Sequence, residues 1–487
     1  MFRKMSGRMS RKLFYLFLLT LTCSAVAQNT AAPQAPPKKR LRISVALEGG
    51  SAYGLAHIGV LRWFDEHHVP VDYVAGTSMG GLVGGFYATG MSPADLNQLV
   101  ANADWDQIVS GATEYQDLSF RRKEDQRALP NSIVLGLRNG VALPAGLNAG
   151  HPISLMIDQQ TLPYHGLKSF NDLPTPFRCV ATDLVTGKPR VFHDGPLEEA
   201  LRATMSIPGL FTPVRDNEKL YVDGGLVNNL PSDVVRDMGA DIVIAVHLET
   251  APVTAKDLKS IFDVLGQTAR IITAESEVRG LAQADAVVSV KLAEFTALDF
   301  KSFARISAKG YDAAQSRQAL LQRFAITDDA EWAEYLRQRE ARRRTTVGLP
   351  QFVKVEGVGP EAARVLEAAL KPLAGKPIDP ATLATYLTRL TGTGRYEAAD
   401  YRMTQIDGQE GIVVRVHEKE YAPPMIQPAF QVDGGESSNV NFTLGARLSF
   451  MDLPATVPNG APIFRLEIPM LSQASSTSRS RVPAGGS

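Results

Sequence analysis

Gly76-Thr77-Ser78-Met79-Gly80 is a G-x-S-x-G pentapeptide. Such a pentapeptide can hold a serine on a sharp strand-to-helix turn, with its hydroxyl exposed above a sheet. A serine in that setting is a nucleophile for acyl transfer once a neighbouring base takes its proton. Small-residue pentapeptides are common, so the flanks matter. An apolar strand leads in, and Gly80, Gly81, Gly84 and Gly85 open the following helix, where missing side chains allow close packing. Ser78 stands at the expected N-terminus of that helix, whose partial positive charge favours developing negative charge.

Two further stretches bear on the same chemistry. Glu48-Gly49-Gly50-Ser51-Ala52-Tyr53-Gly54 is a glycine turn between an apolar strand and a helix. It lacks the glycine spacing of a dinucleotide site, and no Gly-Lys-Ser/Thr follows to make a P-loop. Successive backbone N–H groups at such a turn can hold an anion. In acyl transfer that anion is the tetrahedral oxyanion. Tyr221-Val222-Asp223-Gly224-Gly225 leads into Asn228-Asn229, which alone reads as turn chemistry. Of the eight histidines, His247, at the end of a predicted strand, is the one that combines plausibly with an upstream acid such as Asp183 or Asp223 in the order of a serine–acid–histidine triad. It lies inside an apolar strand, Ile242 to Leu248, where a histidine is more often structural.

The elements that position these residues alternate strand, turn and helix. Strands are expected at Leu41 to Leu47, Val71 to Ala75, Phe177 to Thr182 and Ile242 to Val246, with helices from about Leu55 to His67 and Met79 to Thr89. That alternation predicts a three-layer α/β/α fold with a mostly parallel sheet. Residues 110–147 are polar with scattered Gly and Pro and read as a loop; residues 253–345 read as helices. Five arginines between Arg337 and Arg344 read as a solvated helix end. From Pro350 a smaller α+β unit follows, with a strand at Phe352–Val355, helices at Glu361–Leu373 and Pro380–Leu390, and strands at Tyr396–Met403 and Gly411–His417. Beyond Pro424 the pattern alternates over about ten residues per segment, at I-Q-P-A-F-Q-V, V-N-F-T-L-G-A-R-L-S-F and A-P-I-F-R-L-E-I-P-M, as strands of a membrane barrel do. Three strands leave open edges, which points to a truncated product rather than a barrel shared between chains.

The 487 residues suffice for two to four domains. Residues 1–27 carry five basic residues and no acid, then an apolar run (Leu13 to Thr22) and Ala25-Val26-Ala27, the pattern of a secretory signal peptide. Setting those five aside leaves 46 basic against 51 acidic residues, which gives no reason to expect a nucleic-acid partner. Residues 28–40 are a Pro/Ala-rich linker. Cleavage after Ala27 leaves Cys179 as the sole cysteine, so no disulfide is expected. No His/Cys/Asp cluster has metal-ligand spacing, and no metal or cofactor is expected.

Together, L-E-G-G-S-A-Y-G-L-A-H-I-G-V-L, V-A-G-T-S-M-G-G-L-V-G-G and Y-V-D-G-G-L-V-N-N-L-P resemble the patatin-like phospholipase family, as do A-T-D-L-V-T-G and R-A-T-M-S-I-P-G-L-F-T-P-V between them. The resemblance implies a Ser–Asp dyad, with Ser78 as nucleophile and Asp223 as base, and an oxyanion hole from Gly49, Gly50 and Ser51. Gly54, Gly76, Gly80, Gly224 and Gly225 match the supporting glycines. Two positions depart: Ser51 stands where the family usually has a third Gly, and Tyr53 where it often has Arg or Lys. If position 51 needs positive φ, the serine strains the hole. Residues 350–421 resemble a POTRA domain, and 422–487 the start of an outer-membrane surface-antigen barrel. The implied organisation is a signal peptide (1–27), linker (28–40), patatin-like domain (41–325), basic helical linker (326–349), POTRA-like domain (350–421) and incomplete barrel (422–487). The implied protein is an exported or outer-membrane lipid acyl hydrolase that meets phospholipid or lysophospholipid at a membrane surface. A degenerate patatin domain serving lipid binding or secretion is the competing class, and an esterase for short soluble esters a third.

Overall fold

The computed structural model describes residues 40–120, 122–124, 134–138, 140–256, 258–259, 261–419, 421, 424–434, 440–449 and 467–476. The expected signal peptide and all but Arg40 of the linker lie outside the described residues. No helix among the described residues is long and apolar enough to cross a membrane.

β1 (Ile43–Leu47) is buried along its whole length, as a central strand covered on both faces must be. A short 3₁₀ turn (Ser51–Leu55) leads into α1 (Ala56–Glu66), then β2 (Tyr73–Thr77) and α2 (Met79–Ala88). β3 (Leu135–Gly136), α3 (His151–Thr161), β4 (Phe177–Asp183), β5 (Lys188–Phe192), α4 (Leu197–Thr204), β6 (Val214–Asp216) and β7 (Lys219–Asp223) follow. Next come β8 (Ile242–Glu249), α5 (Ile261–Ala282), β9 (Ala286–Lys291), α6 (Phe303–Ser316) and α7 (Asp329–Glu340).

These strands build an eight-stranded sheet in the order β6-β7-β4-β2-β1-β8-β9, with β5 also on β4. β4, β2, β1, β8 and β9 are parallel, while β5 and β7 run antiparallel to β4. Alternation sorts the faces. Val45, Leu47, Val74, Ile244 and Val246 join the larger core under α1 and α2. Ala46, Ala75, Val180, Val243 and Ala245 face a second core with Val234 and Val235 of the helix Ser232–Asp237. The result is the expected α/β/α arrangement with a mostly parallel sheet.

Three local expectations shift. β2 starts two residues late and runs to Thr77, so no residue separates the strand from Ser78. β9 lies in a stretch read from sequence as helical; its alternating buried and half-exposed positions pair it in parallel with β8 as the sheet's outer strand. The basic segment is not merely solvated. Arg339 donates to the Tyr87 hydroxyl at 2.9 Å and stacks over its ring, and the Arg344 N–H donates to the Tyr164 hydroxyl.

Residues 352–418 follow the expected strand–helix–helix–strand–strand order: β10 (Phe352–Glu356), α8 (Pro360–Leu370), α9 (Pro380–Thr391), β11 (Tyr396–Ile406) and β12 (Gln409–Glu418). β12 pairs parallel with β10 and antiparallel with β11. Leu155 of α3 and Leu162 enter this unit's core beside Leu383, Leu387, Ile412 and Val414. β13 (Met425–Gly434), β14 (Val440–Ser449) and β15 (Glu467–Ser476) form an antiparallel meander, with β3 added on β13. β15 sits later than the apolar pattern placed it, because pairing along all of β14 carries it into the polar serine-rich stretch.

Candidate active site

Register brings the site together. Thr77 pairs with Val180 across β2 and β4, and Asp223 pairs with Ala181 across β7 and β4. Ser78, directly after β2, and Asp223, at the end of β7, therefore stand level on either side of β4, with the Ser78 hydroxyl near enough to lower the pKa of the Asp223 carboxyl.

Ser78 caps α2 with φ 55° and ψ −128°, outside the wells that a serine ordinarily occupies. Such strain is of order 1–3 kcal/mol and persists only where neighbours over-determine the backbone. The neighbours are visible. The Ser78 N–H donates to Thr204 Oγ1 at 2.9 Å, and that hydroxyl donates to the Val180 carbonyl at 2.6 Å. A Cβ on Gly76 would lie 2.2 Å from the Gly80 carbonyl oxygen, and one on Gly80 would lie 2.4 Å from that of Leu47. The pentapeptide's glycines are thus required by the tight passage of backbone over backbone.

Asp223 is 7 % exposed. Its Oδ1 accepts from the Gly225 N–H at 2.8 Å, and its own N–H donates to the Ser206 carbonyl. Gly224 lies against the Val180 carbonyl of β4. Burial pushes the Asp223 carboxyl up to about 6, against the downward pull of hydrogen bonds from Ser78 and Gly225. Desolvation disfavours the charged form, and so makes a stronger base of a carboxylate.

The glycine turn lies beside Ser78: a Cβ on Gly49 would be 3.1 Å from Ser78 Cβ. Its three N–H groups are not equivalent. That of Gly49 donates to the Asn229 carbonyl at 3.1 Å, whereas those of Gly50 and Ser51 meet no acceptor among the described residues. An oxyanion at this turn has two uncommitted donors, Gly50 and Ser51. Ser51 adopts φ +50°, the left-handed conformation that favours glycine. Its hydroxyl donates to the Ala297 carbonyl at 2.7 Å, which the Ala52 N–H also reaches, and the Tyr53 hydroxyl donates to the Phe295 carbonyl. Both departures from the family pattern thus anchor the turn to one loop. Gly54 packs against Met79.

No histidine bonds Ser78 or Asp223. His247 Nδ1 meets Glu48 Oε2 at 2.7 Å, and His57 Nε2 meets the Glu48 carbonyl at 2.7 Å. Burial lowers His247, but its hydrogen bond and charge contact with Glu48 outweigh that and leave its pKa raised. Sequence reasoning missed Thr204, Glu48 and Asn229. All three lie within the quoted motifs, Glu48 before the glycine turn, Thr204 in R-A-T-M-S and Asn229 in Asn-Asn, but none has a spacing that assigns it a role. Among the described residues no group of three or more His, Cys, Asp or Glu could hold a metal ion. A cleft of about 1090 Å³ opens elsewhere, among Leu99, Gln107, Leu155, Arg343 and Thr388, and neither Ser78 nor Asp223 lines it.

Residues 45–236 match the family model described as "Patatin-like phospholipase". A patatin-like phospholipase domain-containing protein of Caenorhabditis elegans is 34% identical over 206 residues, 42% of this chain and 13% of that protein. An uncharacterized NTE family protein of Mycobacterium tuberculosis is 31% identical over 207 residues, 42% of this chain and 49% of that protein. The chain thus spans half or less of the length of these relatives. VipD from Legionella pneumophila is similar at 15% identity and TM-score 0.34, over 59% of this chain and 67% of its own.

Proposed function

We propose that this chain is a serine lipid acyl hydrolase that cleaves carboxylic esters of glycerophospholipids or lysophospholipids through Ser78 and Asp223. The observation that carries the reading is the buried Asp223 carboxyl held level with Ser78 across β4, with His247, the histidine in triad order, bonded to Glu48 instead. Ser78 Oγ attacks the ester carbonyl carbon as its proton passes to Asp223. The carbonyl oxygen becomes an anion facing the N–H groups of Gly50 and Ser51. Collapse breaks the ester C–O bond, and the proton from Asp223 goes to the leaving alkoxide. Water then attacks the acyl-enzyme, again losing a proton to Asp223, and frees the fatty acid with Ser78 restored.

The test is labelling of the full chain with a fluorophosphonate probe, alongside phospholipid hydrolysis. Wild type labels and turns over, and Ser78→Ala does neither. Absent labelling of wild type sinks the reading. The positive φ of Ser51 favours a second one, a weakly active patatin domain serving lipid binding or secretion. Vesicle binding without ester cleavage is its signature. Rate rising with acyl-chain length separates a lipid enzyme from an esterase for short soluble esters.

The placement of residues 350–421 as a POTRA-like unit, and of 422–487 as part of an outer-membrane barrel, belongs to this proposal. It is supported by the strand–helix–helix–strand–strand order and by the antiparallel meander of β13, β14 and β15. An exported, outer-membrane or surface location follows from it, with periplasmic location if the strands do not insert. Recovery in the soluble cytoplasmic fraction would refute that location.

A further inference from the structure

We propose that Asn229, held by Glu48, is a positioning residue that fixes the Gly49–Ser51 turn in register with Ser78 and the Asp223 loop. The inference rests on the Ser–Asp reading of the site.

Both polar backbone groups of Gly49 end on Asn229. The Gly49 N–H donates to the Asn229 carbonyl at 3.1 Å, and Asn229 Nδ2 donates back to the Gly49 carbonyl at 3.3 Å. Gly49 is the residue immediately before the two uncommitted donors, so this double grip sets the direction in which the Gly50 and Ser51 N–H groups point. Asn229 lies six residues after Asp223, on the same loop. The clamp therefore ties the Gly50 and Ser51 N–H groups to the Asp223 loop by a route that bypasses Ser78. It admits no slack, because a Cβ on Gly49 would lie 2.5 Å from Asn229 Oδ1.

Asn229 is itself fixed from three sides. Its N–H donates to Ser276 Oγ at 3.1 Å, and Nδ2 also reaches Glu277 Oε1 at 3.1 Å, both on α5. Nδ2 reaches Glu48 Oε1 at 3.2 Å. Glu48 is buried, and its other oxygen accepts from His247 Nδ1 and from the Leu248 N–H, each at 2.7 Å. Burial pushes Glu48 up to about 7 while His247 pulls it down. A buried carboxylate is retained only where such partners offset its desolvation. Three acceptors around one amide nitrogen make Asn the fitting residue, since aspartate in its place would present a fourth acceptor. Asn229 touches no reacting atom and acts through Gly49.

The test compares the full chain with Asn229→Ala for ester turnover and for the ³¹P resonance of the Ser78 phosphonate adduct, whose phosphoryl oxygen occupies the oxyanion position. Misplacement of catalytic groups by about 1 Å costs on the order of 100-fold in rate. The expected result is kcat lower by roughly 10- to 100-fold, KM within about twofold, and a displaced ³¹P resonance. An Asn229→Ala variant with unchanged kcat, or with lowered kcat and an unmoved resonance, overturns the proposal. If Asn229→Ala does not fold, Glu48→Gln carries the same readouts. It keeps an acceptor for Leu248 but turns an amide toward Asn229 Nδ2, and its resonance moves or the proposal fails. Failure of the Ser–Asp reading is distinct, because wild type then forms no adduct at Ser78 at all.

Discussion

A carboxylate near pKa 4 is a poor base for a hydroxyl, and for the base proposed at Asp223 desolvation answers that difficulty. With its carboxyl raised to about 6, kcat/KM is expected to rise through about pH 6 and level above it. Asp223→Asn should lower kcat by about 10²–10⁴-fold, the usual weight of a general base. The same burial carries a stability signature. The folded-state pKa lies above the unfolded one, so the ionised carboxylate destabilises the fold at high pH and the penalty fades as pH falls. About two units correspond to roughly 3 kcal/mol as an upper figure. Asp223→Asn should therefore melt higher than wild type at pH 8, with the advantage shrinking toward pH 4. An advantage of the variant over wild type that is no larger at pH 8 than at pH 4 contradicts a raised Asp223. Ser51 gives a second residue-scale prediction. Left-handed backbone costs a serine about 1–2 kcal/mol, while its bond to Ala297 returns about 1. Ser51→Gly should then be close to neutral in thermal unfolding, whereas Ser51→Ala keeps the strain, loses the bond and melts lower.

At the scale of elements, the site is a matter of register. β4 must hold Ser78 and Asp223 level, and Thr204 on α4 must hold the Ser78 N–H to the Val180 carbonyl of that strand. Thr204→Val keeps the shape but leaves a buried N–H and a carbonyl without their partner. The expected loss is about 1–3 kcal/mol, read by denaturant unfolding, with slower fluorophosphonate labelling. Unchanged labelling would mean that Thr204 only packs. Much of this was legible beforehand. Ser78, its elbow glycines and the parallel strands follow from local pattern, and Asp223 from resemblance. The partition of the turn's N–H groups was not legible, because the acceptor for Gly49 comes from Asn229, 180 residues away, and no spacing encodes that contact. β9 was misread because Ala286–Lys291 is short and follows a 22-residue helix, where helical continuation is the easier inference.

At the scale of the molecule, the domain of the eight-stranded sheet and the unit from Phe352 to Glu418 are joined by more than a linker. Leu155 and Leu162 enter the second unit's core, His151 Nδ1 meets the Ala399 carbonyl at 2.9 Å, and the Tyr401 N–H donates to Asp158. Around them runs an ion network: Glu199 pairs with Arg402 and Arg415, and Asp400 pairs with Arg415 and His417. Burial tends to raise Asp400, but Arg415 and His417 outweigh it and hold the carboxyl well below the usual range. A depressed folded-state pKa means that the stabilisation is fully present above the unfolded value near 4 and is lost progressively as pH falls from there toward the much lower folded value. The apolar contacts do not titrate. The two units should therefore unfold together at pH 7 and separate on acidification, the smaller one first. Asp400→Asn should produce that separation at pH 7, because it leaves Arg415 part-buried with one anionic partner instead of two. Calorimetry reads it directly, as one endotherm for wild type and two for Asp400→Asn. A single endotherm in the variant would place the coupling in Leu155 and Leu162 rather than in the ion network.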